Sequence, residues 1–127
     1  MKSCYCGSNK PFQQCCNAFI SAIKIPETAE ELMRSRYSAY VCRDRNYLNQ
    51  TALPELKSVA PNEMPKVTWD RLEICKVRHG LANHDTGVVE FKAFFYDELG
   101  QLQWLWEESQ FIKKAGQWYY ASGIILN

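Results

Sequence analysis

A chain of 127 residues is long enough for one ordinary domain with, at most, a small appendage. Its 46% hydrophobic and 13% aromatic residues can build a packed core, which excludes a disordered chain and a fold dependent on disulfide staples. Fifteen basic against fourteen acidic residues leave a net charge of +1, so charge selects neither a nucleic acid nor an anionic membrane surface.

The N-terminus reads MKSCYCGSNKPFQQCC, with Cys4, Cys6, Cys15 and Cys16 inside sixteen residues. No apolar signal-peptide core is present, because Cys4, Gly7, Ser8, Asn9 and Lys10 occupy its place. No run approaches the roughly 20 apolar residues that span a bilayer. The expected location is therefore the cytoplasm, where thiols stay reduced. A disulfide between adjacent Cys15 and Cys16 strains both the torsion and the intervening peptide. A redox centre would favour C-x-x-C, whereas this chain has C-x-C and C-C. Four thiolates suit a structural zinc in a closed tetrahedron that leaves no position for a catalytic water. Gly7 and Asn9 supply the positive φ of a tight knuckle. Ser8 is expected to cap a short helical turn that starts near Pro11, carries Phe12 beneath the site and delivers Cys15 and Cys16. Lys10 offsets the negative charge of the tetrathiolate.

Residues 4–16, CYCGSNKPFQQCC, resemble the SEC-C motif, C-x-C-G-S-x-x-x-[FY]-x-x-C-[CH]. Cys4, Cys6, Gly7, Ser8, Phe12, Cys15 and Cys16 all match, while Asn9 stands where Gly is commonest and Pro11 where Lys is common. SEC-C is the zinc module at the C-terminus of the translocation motor SecA, where it binds the chaperone SecB and associates with ribosomes. The resemblance implies a docking role toward a protein partner.

Next, NAFISAIKIPE reads as a linker that packs down through Phe19, Ile20, Ile23 and Ile25. Thr28-x-x-Glu31 is a capping box that announces a helix through about residue 43, with an apolar face of Ala29, Leu32, Met33, Tyr37, Tyr40 and Val41. A second short helix is predicted between Asp44 and Leu53, before the loop-forming prolines Pro54, Pro61 and Pro65. From Val67 the texture changes to four β-rich runs: VTWDRLEICKVRH, TGVVEFKAFFYD, LQWLWEESQFIKK and QWYYASGIIL. Turn-like segments separate them. In the second run Val89, Phe91, Ala93 and Phe95 alternate with Glu90, Lys92 and Tyr96, as a sheet with one covered face requires. The predicted class is α+β, with a long N-terminal helix packed on a curved four-stranded antiparallel sheet and a small zinc module ahead of it. The predicted division is a module at 1–22 and a domain at 23–127.

LMRSRYSAY (32–40), WDRLEI (69–74), VEFKAFF (89–95), the ES-x-F at 108–111 and WYYASG (118–123) resemble the YchJ-type family. That family joins SEC-C motifs to a nuclear-transport-factor-like, cystatin-like cone in which helices close over the sheet. Many of its members carry a second SEC-C copy at the C-terminus. Its third strand usually reads E-R-S-R-F, where residues 107–111 here are Glu-Glu-Ser-Gln-Phe.

A cone of this kind encloses a cavity, and its candidate lining is Arg36, Tyr37, Trp69, Glu107 and Ser109, together with Arg34 and Tyr40. One reading makes Glu107 an acid or base and Arg36 an anion holder, giving a small-molecule binder or enzyme. The other makes the arginines packing and ion-pair residues and the tyrosines core, and it is favoured because an arginine on a helix more often packs and forms ion pairs. His79 and His84 flank a turn and are expected in solvent, while Cys42 and Cys75 are expected to be buried, inert thiols. Trp104 and Trp106 share one strand face, which is either core or a patch for a homodimer or another partner. The function expected from the whole chain is protein docking through the zinc module, with nucleic acid and membrane set aside.

Overall fold

The computed structural model describes residues 2–56, 64 and 66–127. Most of the three-proline stretch lies outside them.

The chain opens with a knuckle in which Gly7 and Asn9 take φ of 82° and 66°, as the sequence requires. A 3-10 turn (Phe12–Gln14) leads directly into α1 (Cys16–Ile20). Pro11, not Ser8, stands at the cap of that turn, without a side-chain bond. Ser8 instead accepts from the Lys10 N–H at 3.2 Å and so closes the knuckle locally. After α1, Ala22 takes a left-handed φ of 63°, and the Ile23 and Lys24 N–H groups both donate to Ala18 O. This reversal lifts the chain off the core. Ile23 is 75% exposed and Ile25 56%, so only Phe19 and Ile20 of the predicted linker contacts pack inward.

Helix α2 runs Ala29–Cys42. Thr28 caps it by accepting from the Glu31 N–H at 3.1 Å, and Glu31 returns a carboxylate to the Glu27 N–H at 2.8 Å, one residue earlier than a standard capping box. Arg43 closes the helix in the left-handed region at φ 58°. Asp44 then caps α3 (Arg45–Gln50) by accepting from the Tyr47 N–H.

Strands β1 (Thr68–His79), β2 (Thr86–Tyr96), β3 (Leu102–Lys114) and β4 (Gln117–Ile125) form one antiparallel meander in the order β1-β2-β3-β4. Val89, Phe91 and Ala93 are buried on its inner face, as their alternation predicts. Register shifts interrupt β1 at Trp69/Arg71 and at Ile74/Lys76. Cys75 is the extra residue of the second bulge and is exposed, against the buried position expected from alternation. Cys42, at the last turn of α2, is exposed as well.

The core joins the N-terminal knuckle to the sheet. Cys4, Cys6 and Cys16 belong to the same buried cluster as Leu32, Met33, Tyr37, Leu72, Val89, Phe91, Phe111 and Trp118. Helix α2 therefore has neighbours on three sides: the sheet, the cysteine-bearing segment and α3. That position buries Ser35, Arg36 and Ser38 together with its apolar stripe.

Candidate metal centre

The knuckle supplies Cys4 and Cys6, and the junction of the 3-10 turn with α1 supplies Cys15 and Cys16. A Ser3–Pro11 bridge and the Cys4 N–H to Lys10 O bond at 2.8 Å hold the two halves face to face. The four Sγ atoms all lie within 4.8 Å of one another, and Cys6 and Cys15 are 3.7 Å apart. Three are buried and Cys15 is partly exposed.

Contacts beyond the sulfurs fix the cluster on α2. Arg34 donates to Cys6 O at 2.5 Å while pairing with Glu30 at 3.0 Å. Ser38 Oγ lies 3.7 Å from Cys4 Sγ, and Ser8 Oγ 3.2 Å from Cys15 Sγ. Tyr5 packs edge-on against Phe12 with ring centres 5.2 Å apart and covers one side.

Hydrogen bonds from Cys16 and Cys6 hold the Cys4 thiol well below the ordinary range. The reciprocal bonds to Cys4 and Cys6, then burial, push Cys16 far above it. Burial also raises Cys15, against the hydrogen bond of Ser8. Four thiolates this close repel one another, so the set ionises fully only around a cation. The arrangement can hold a metal ion.

The residues of the second candidate set make two groups of contacts. Tyr37 and Trp69 meet edge-on at 5.7 Å, and Trp69 also packs on Tyr40 and Phe95 at 6.1 and 5.5 Å, at the β1–β2 end. Arg36 and Glu107 both reach Tyr120. Arg36 donates to Leu48 O at 2.9 Å and Thr51 Oγ1 at 2.7 Å, and it lies over the Tyr120 ring at 4.8 Å. Glu107 accepts from buried Ser109 at 2.5 Å and from Tyr120 at 3.4 Å. Among the described residues Arg36 takes part in no ion pair, and Arg34 is the arginine of α2 that pairs with a carboxylate. Burial pushes the Arg36 pKa down, against the pull of the tyrosines around it and of Glu107. A guanidinium so enclosed is committed to backbone and hydroxyl acceptors.

A groove of about 1160 Å³ lies beside Cys15 instead, lined by Ser8, Lys10, Ile23, Ile25 and Arg34 among others. It follows the reversal at Ala22, a left-handed position that no glycine or asparagine announces. On the outer face of the sheet Trp104 is 47% exposed and packs against Phe94 at 6.2 Å. Trp106 donates its indole N–H to Glu90 at 3.0 Å. His79 is exposed and stacks edge-on with His84 at 5.3 Å, while His84 Nδ1 accepts from the Leu81 N–H.

The fold and the cluster together define a class: an α+β protein with a four-stranded antiparallel sheet and an N-terminal four-cysteine centre. Residues 28–123 match the family model described as the YchJ middle, NTF2-like domain. A UPF0225 protein of Streptomyces coelicolor is 37% identical over 124 residues, covering 98% of this chain and 96% of that protein. One from Vibrio parahaemolyticus is 38% identical over 125 residues, covering 95% of this chain and 74% of its own length. The chain belongs to this YchJ-like, UPF0225 family. Among solved structures, a SEC-C motif containing protein of Rhodopseudomonas palustris superposes with a TM-score of 0.87 at 31% identity, over 99% of this chain and 100% of that one. Another, from Psychrobacter arcticus, gives 0.80 at 28% identity, over 100% and 84%. No helix among the described residues is long and apolar enough to cross a membrane.

Proposed function

We propose that the protein is a zinc-stabilised docking protein of the cytoplasm, in which residues 1–22 present a protein-binding surface and residues 23–127 carry it. The observation behind this reading is the set of four sulfurs within 4.8 Å of one another. A regular tetrahedron with Zn–S bonds of about 2.3 Å has edges of about 3.8 Å, close to the Cys6–Cys15 separation of 3.7 Å. Cys4, Cys6, Cys15 and Cys16 would hold the ion, and its chemistry there is structural, since four protein ligands leave no place for substrate or water. Arg34 and Ser38 then position the ligand loops rather than react. The sheet, bulged at three places, would curve around the long helix α2.

Docking is tested in cells with a photocrosslinking residue at Lys10, beside the groove. The reading expects discrete protein adducts that disappear in a Cys15→Ser/Cys16→Ser variant. Adducts indifferent to the cysteines would contradict it.

A second association is favoured by the exposure of Trp104 on the outer sheet face. Arg78 pairs with Glu108 there, and Arg71 with Asp70 and Glu73, so the face carries balanced charge around an aromatic centre. Such a surface suits a second copy of the chain better than a polyanion. Sedimentation of the parent as a dimer and of Trp104→Glu as a monomer would support this; identical monomers would refute it.

A further inference from the structure

The four sulfurs are not equivalent. Cys15 and Cys16 both line the groove beside Ser8 and Lys10, but Cys4, Cys6 and Cys16 are 5%, 0% and 0% exposed, and Cys15 alone is partly open to solvent. A small oxidant entering the groove meets Cys15 first. The sulfur best placed to answer is Cys6, 3.7 Å away and nine residues distant in sequence, which frees the closure from the peptide strain of a Cys15–Cys16 bridge. We propose that the cluster is a peroxide-responsive clasp, in which Cys15 is oxidised, Cys6 resolves it and the metal leaves. This rests on the metal reading above.

The chemistry balances with hydrogen peroxide as the oxidant. The Cys15 thiolate attacks one peroxide oxygen, an S–O bond forms, the O–O bond breaks and hydroxide departs. The resulting sulfenic acid is no longer a thiolate donor. The Cys6 thiolate then attacks the Cys15 sulfur, forming the S–S bond and expelling a second hydroxide. The two sulfurs together lose two electrons, the peroxide becomes two waters with protons from solvent, and zinc departs unchanged as the dication. Cys4 and Cys16 take up protons and remain reduced. Ser8, 3.2 Å from Cys15 Sγ, donates to the metal-bound thiolate and restrains its attack. Loss of the metal leaves Arg34 gripping Cys6 O as a main tie between the knuckle and α2.

The experiment uses untagged protein in a Cys42→Ser/Cys75→Ser background, which removes the two exposed thiols outside the cluster. Zinc content is measured first. Hydrogen peroxide is then added with a chromogenic chelator, and the disulfide is mapped by differential alkylation and peptide mass spectrometry. The expected result is loss of the bound zinc together with a Cys6–Cys15 disulfide, with Cys4 and Cys16 still alkylatable. Thiol reductant and zinc should restore the starting state, and Ser8→Ala should release zinc faster. Zinc retained through peroxide treatment, or release with a Cys15–Cys16 or Cys4–Cys16 bridge, would overturn the clasp and leave the metal site standing. Protein purified without zinc would overturn both.

Discussion

Two glycines show how closely the β1–β2 hairpin approaches α2. A Cβ on Gly87 would lie 2.5 Å from Gly80 Cα and 3.0 Å from the Ala29 methyl, and Gly80 O accepts the Ala29 N–H at 2.9 Å. Backbone faces backbone there, so no side chain can move aside. Gly87→Ala should cost about 1–3 kcal/mol by overpacking, read as a lower denaturant midpoint at unchanged slope. Arg36 makes the opposite kind of contribution. Arg36→Ala opens a cavity beside Tyr120 and strips Leu48 O and Thr51 Oγ1 of a donor, with an expected loss of about 2–4 kcal/mol. A substrate-binding arginine would lose ligand affinity instead and leave the melt unchanged. The four-cysteine cluster was legible because C-x-C and C-C at this density have few other uses. The partners of Arg36 were not legible, because Leu48 and Thr51 come from α3 and its end and depend on how the chain turns at Arg43, while Tyr120 comes from β4. Ser35 and Ser38 were missed. Small polar residues at helical spacing look solvated until a second element is known to cover them.

At the level of elements, α2 depends on its first turn. Thr28→Ala removes the acceptor for the Glu31 N–H and should cost about 1 kcal/mol, measured by equilibrium unfolding. Trp118 donates to Glu27 O at 3.0 Å, so the same cap also ties the helix entry to β4. Strand positions were readable to within a residue or two, because alternation and turn chemistry agree along the whole second half of the chain. Alternation failed where the strand itself is irregular. The bulge at Ile74/Lys76 inserts Cys75 out of phase, and nothing in ICK announces it. Ile23 and Ile25 failed for a related reason: an apolar pair reads as buried unless the reversal at Ala22 is known.

For the whole molecule, burial gives a pH dependence with a definite sign. Burial raises the phenols of Tyr47 and Tyr120 to about 12, and it raises Tyr37 further. A raised folded-state pKa stabilises the protein fully below the unfolded value of about 10 and loses that stabilisation as pH climbs through the folded value. Stability should therefore fall between about pH 10 and 12, with ionisation of Tyr37, Tyr47 and Tyr120, followed site by site by NMR, appearing together with unfolding. Ionisation of Tyr37, Tyr47 or Tyr120 near pH 10 in the folded protein would contradict the packing around α2. The larger claim is that the N-terminal cysteines, packed into the same core as the sheet, form a metal centre. Elemental mass spectrometry of untagged protein, with the Cys15→Ser/Cys16→Ser variant alongside, tests it directly. The account predicts about one zinc per chain in the parent and none in the variant. A metal-free parent with four free thiols, or with a disulfide among them, would contradict it.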